Sequence, residues 1–71
     1  MSVEETYERL RDDQDLLVLH RRHLLRQKSE AWLQERWQDC LQYKLTIDRV
    51  DRQLSDITFR MVQLRIMGGA A

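Results

Sequence analysis

From Leu33 to Met67 the chain reads LQERWQDCLQYKLTIDRVDRQLSDITFRMVQLRIM, and its apolar positions recur with a heptad rhythm. Leu33, Cys40, Tyr43, Ile47, Val50, Leu54, Ile57, Met61 and Leu64 are separated by 7, 3, 4, 3, 4, 3, 4 and 3 residues. This is the a/d pattern of a coiled-coil seam, broken only at Arg36. A β-strand alternates with a period of two and cannot gather these residues on one side. The stretch has no glycine or proline to interrupt a helix. A long amphipathic helix lying against other helices follows.

The earlier part of the chain is a poorer zipper. Val3, Tyr7, Leu10, Leu17 and Leu24 form a stripe, with polar Gln14 and Arg21 at the intervening positions. Ser2 suits the cap of this first helix, because Glu5 lies three residues on as in a capping box. Glu4, Glu5 and Glu8 favour the positive end of the helix dipole. Met1 and Ser2 are expected to fray.

Whether one helix or two is present depends on phase. Carried backward from Leu33, the second stripe lands on Arg26, Arg22, Leu19, Asp15, Asp12 and Glu8, a mostly charged face. Extended forward, the first stripe meets Lys28, Ala31 and Glu35. The mismatch predicts a turn near 28–29, with Ser29 capping the second helix. The expected fold is all-α: an antiparallel two-helix hairpin forming one domain over residues 1–67, with helices over about 3–27 and 30–66, completed by oligomerisation into a four-helix bundle or by a partner. Gly68, Gly69, Ala70 and Ala71 are expected as a flexible tail. The alternative is one continuous helix in a coiled coil.

In that hairpin Leu24 faces Leu33, Leu17 faces Cys40, Leu10 faces Ile47 and Val3 faces Leu54. The second helix would outrun the first by about three turns, leaving Ile57, Phe59, Met61, Val62, Leu64, Ile66 and Met67 uncovered. A further row, Leu33, Trp37, Leu41 and Leu45, widens the apolar face beyond what one partner helix needs. Consecutive Leu16, Leu17, Val18 and Leu19 do the same on the first helix. Trp37 reads as core and Trp32 as an interface anchor.

Size sharpens the point. A chain of 71 residues buries only ~60% of its unfolded surface. Its single cysteine excludes an intrachain disulfide, so a partner or a second copy is the remaining aid. Twelve basic residues balance twelve acidic ones, which leaves no global field for nucleic acid or anionic membrane. The acidic start of the chain lacks the apolar core of a secretory signal, no apolar run approaches a membrane span, and no asparagine offers a glycosylation site. A soluble cytoplasmic protein is the expectation.

Chemistry-bearing groupings are sparse. His20 and His23 share a helical face but lack two further zinc ligands, and Arg21 and Arg22 lie between them. Cys40 reads as a buried thiol, although His20 would lie within a turn of it in this hairpin. Arg21, Arg22, Arg26 and Lys28 form a basic cluster that could touch phosphate, without an aromatic stacking platform. No phosphate loop, nucleophile elbow or paired-carboxylate cleft is present. The expected function is therefore non-catalytic and cofactor-free: a helical interaction or assembly protein such as an adaptor, small chaperone or structural subunit. It would contact itself or a helical partner through Trp37, Leu41, Leu45, Leu54, Ile57, Met61 and Leu64. The alternatives are a nucleic-acid-binding regulator using the basic cluster and a membrane-surface amphipathic helix.

Overall fold

The computed structural model describes residues 2–69, and these form two helices packed against each other as a hairpin. Helix α1 spans Val3–Leu33 and α2 spans Trp37–Gly69. The molecule is a rod of 54 × 15 × 14 Å. The continuous-helix alternative is therefore excluded. Of the expected tail, Gly68 and Gly69 belong to α2, while residues 70 and 71 lie outside the described part, as does Met1.

α1 begins as its sequence dictates. Ser2 is extended (φ −77°, ψ 160°) and its hydroxyl accepts the Glu5 N–H at 3.1 Å. The cap satisfies one of the orphan N–H groups of the first turn, where Glu4 and Glu5 face the positive dipole end.

The break between the helices falls at 34–36, not at the expected 28–29. Ser29 lies inside α1 and caps nothing. The reversal is a Schellman turn: the Arg36 N–H donates to the Ala31 carbonyl at 2.8 Å and the Glu35 N–H to the Trp32 carbonyl at 3.1 Å. Glu35 sits at the left-handed position with φ 59°, where a glycine is usual. Arg36 then leads into α2, its carbonyl accepting from the Cys40 N–H at 3.0 Å and its guanidinium meeting Asp39 at 3.1 Å.

Both stripes meet along the axis. Cys40, Ile47 and Val50 are buried on α2, with Tyr43, Leu54, Ile57, Met61 and Leu64 half-buried between and beyond them. On α1 the stripe continues through Lys28 to Ala31, which is wholly buried, so the forward extension that looked like a failed seam is the seam. Leu24, Ile47 and Val50 form the core, flanked by Leu17, Tyr43 and Leu54.

The pairing differs from the expected one by two heptads. Leu24 packs with Ile47 instead of Leu33, and Val3 lies by Gly68 instead of Leu54. A Cβ on Gly68 would stand 3.1 Å from Val3 Cγ1, so glycine permits the close approach there. With 31 and 33 residues the helices match in length, and the expected three-turn overhang does not exist.

Candidate functional site

Three polar positions interrupt the α1 stripe, and each has a partner or role at the seam. Gln14 Nε2 donates to Thr58 Oγ1 at 3.1 Å. Arg21 Nε donates to Asp51 Oδ1 at 2.6 Å across the helices. The Lys28 carbonyl accepts from Cys40 Sγ at 3.6 Å. These cross-helix contacts resist sliding by a heptad, which apolar contacts alone would tolerate. The hydrogen bond to Asp51, then its negative charge, hold the Arg21 guanidinium pKa above its ordinary value against a smaller opposing desolvation.

The basic cluster is divided by this arrangement. Arg21 is engaged by Asp51 and Lys28 is half-buried at the seam, whereas Arg22 and Arg26 are exposed. The cluster also lies before the last turn of α1, which carries no basic residue, so it does not offset the dipole at that helix end. Cys40 is buried beside Lys28, about two turns beyond His20, so the thiol and imidazole are not brought together as expected. Among the described residues no three His, Cys, Asp or Glu side chains converge on a common point.

The seven candidate contact residues separate into two sets. Leu54, Ile57, Met61 and Leu64 are half-buried toward α1 and serve the hairpin itself. Trp37, Leu41 and Leu45 are exposed on the outside. Trp37 is not core: it is 52% exposed and meets Trp32, itself 61% exposed, edge-to-face at a centroid distance of 4.8 Å. The two rings clasp the turn, with Leu33, 80% exposed, beside them in sequence. Leu25 adds to the exposed apolar surface of α1 before the turn.

What the sequence reading missed is that this outer patch belongs to a longer row. Leu41, Leu45, Asp48, Arg52, Ser55, Phe59, Val62 and Ile66 repeat the 4, 3, 4, 3 rhythm along α2 and all are exposed. At 100° per residue this row lies roughly 150° around the helix from the seam. The same rhythm is present in the sequence, where the more completely apolar Cys40–Leu64 stripe overshadows it. α2 thus carries exposed apolar residues at both ends of its outer side, parted by Asp48, Arg52 and Ser55, besides its apolar inner face.

No helix among the described residues is long and apolar enough to cross a membrane. Comparison with known proteins gives no matching family model, no matching curated protein and no matching solved structure.

Proposed function

We propose that the chain is a non-catalytic helical interaction or assembly protein that binds through the outer face of α2 and the adjoining turn. The observation that carries this reading is the placement of Trp32, Leu33, Trp37, Leu41 and Leu45 on the surface at one end, continued by Phe59, Val62 and Ile66. Isolated exposed apolar residues need no explanation, but apolar residues grouped at both ends of one helix face, parted by Asp48, Arg52 and Ser55, suit a binding surface. Each aliphatic side chain covered there contributes ~1.5–3 kcal/mol, and exposed tryptophans are common anchors. The grooves between the helices are open and shallow, and among the described residues no nucleophile, base and orienting acid line them together, which favours binding over catalysis.

The test compares affinity capture by the wild-type chain and by Leu41→Asp/Leu45→Asp, two exposed positions whose change leaves the seam intact. Circular dichroism first establishes equal helicity. Partners of either kind, further copies or foreign proteins, are expected with the wild type and lost with the variant. Equal recovery by both overturns the proposal.

A further inference from the structure

The outer row of α2 has a pattern that its own two-fold copy would match. About Val50 as midpoint, Leu41 corresponds to Phe59, Leu45 to Ser55 and Asp48 to Arg52, while Trp37 corresponds to a position beside Val62. The ends are apolar and the middle carries one acid and one base. Among the described residues the ion pairs are Arg21–Asp51 and Arg36–Asp39, so neither Asp48 nor Arg52 is engaged in its own hairpin.

We propose, resting on the interaction reading above, that the occupant of this face is a second copy of the chain, with the two α2 helices antiparallel and back to back in a four-helix bundle. Asp48 of each copy then stands opposite the second copy's Arg52, twice by symmetry. Leu41 packs on the second copy's Phe59, and Trp37 covers its Val62. Ile66 reaches the second copy's turn, where Leu33 stands free. A parallel arrangement in the same register would set Asp48 against Asp48 and Arg52 against Arg52, so charge selects the antiparallel one.

Surface area supports the same conclusion. The hairpin exposes 5958 Å². A compact monomer of its 8.7 kDa exposes about 4,700 Å² by the size scaling of globular proteins. The excess, on the order of 1,000 Å², follows from the rod shape and leaves room to cover the ~800 Å² that each partner contributes to a standard stable interface.

Sedimentation equilibrium of the full chain over ~1–200 μM tests the proposal in a range where a micromolar dimer is resolved. The expected mass is twice 8.7 kDa. Asp48→Arg is expected to weaken association by at least ~100-fold through like-charge contact, and Asp48→Arg/Arg52→Asp to recover it, with unchanged helicity in both. In a Cys40→Ala background, Leu41→Cys and Phe59→Cys chains mixed under oxidation should give a mixed disulfide. Leu41→Cys crosslinking to itself instead would overturn the antiparallel arrangement. A folded monomer throughout the range overturns the second copy as occupant. The interaction reading then falls as well if capture of foreign proteins is insensitive to Leu41→Asp/Leu45→Asp, and survives if capture depends on those residues.

Discussion

Leu45 and Ile47 stand two residues apart on α2, are similar in size and apolarity, and have opposite surroundings. Ile47 is 5% exposed and sits in the core with Leu24 and Val50, whereas Leu45 is 52% exposed on the outer row. Each belongs to a stripe with heptad spacing, so periodicity alone does not say which stripe the hairpin uses. The seam stripe is more completely apolar, running from Cys40 to Leu64, while Asp48, Arg52 and Ser55 interrupt the outer one. The lesson is that a helix with two apolar stripes gives its better one to the intramolecular partner and leaves the interrupted one exposed.

The largest expected effect separates these two faces at once. Ile47→Ala removes core side-chain volume and should cost roughly 2–5 kcal/mol. For a two-helix domain of marginal stability that approaches the whole reserve. Urea denaturation followed by circular dichroism measures it, and a loss below ~0.5 kcal/mol, the range of ordinary surface substitutions, would mean that the seam is not the core.

A smaller effect is expected where the seam is polar. Asp51→Arg sets two guanidinium groups together in place of the 2.6 Å pair with Arg21 and should lower the melting temperature. Exchanging the charges in Arg21→Asp/Asp51→Arg should recover most of the loss. No recovery would show that the pair does not help set the register. Both side chains are more than a third exposed, so the effect should also shrink as salt is added.

How the sequence could mislead about this register while identifying its faces has a physical explanation. The expected turn at 28–29 lies one heptad before the real one at 34–36. Moving a hairpin turn by one heptad shifts the opposing residues by two, and two heptads restore the same faces on both helices. The seam residues from Cys40 to Leu64 were therefore legible, and their partners were not. The turn leaves no mark in the sequence because it has Glu35 where a Schellman turn normally has glycine. Lys28 added to the error: its stem occupies a seam position that looked too polar to be one. Of the candidate contact residues, Trp37, Leu41 and Leu45 were visible as a row spaced by four. The sequence places Phe59, Val62 and Ile66 only in an overhang, which the matched helix lengths remove.

Glu35→Gly probes the device that decides which side of α2 turns inward. A non-glycine residue in the left-handed region carries about 1–2 kcal/mol of strain. Glycine relieves it but adds freedom to the unfolded chain, so the net gain should be about 0.5–1 kcal/mol. A comparable loss, the usual result of glycine inside a helix, would place the turn elsewhere and reopen the question of which stripe faces α1.

The smallest expected effect completes the comparison. Leu45→Ala, measured in dilute solution where copies do not meet, should change stability by no more than ~0.5 kcal/mol, since its side chain is largely in water and alanine favours helix. Under the proposed interaction the same substitution should weaken capture or self-association in concentrated solution, because a partner would there cover the side chain that the hairpin leaves exposed. Ile47→Ala acts in the other sense and destabilises the chain even when it is alone. If Leu45→Ala proved as damaging in dilute solution as Ile47→Ala, the outer row would already be covered within one chain, and α2 would have no free face to offer.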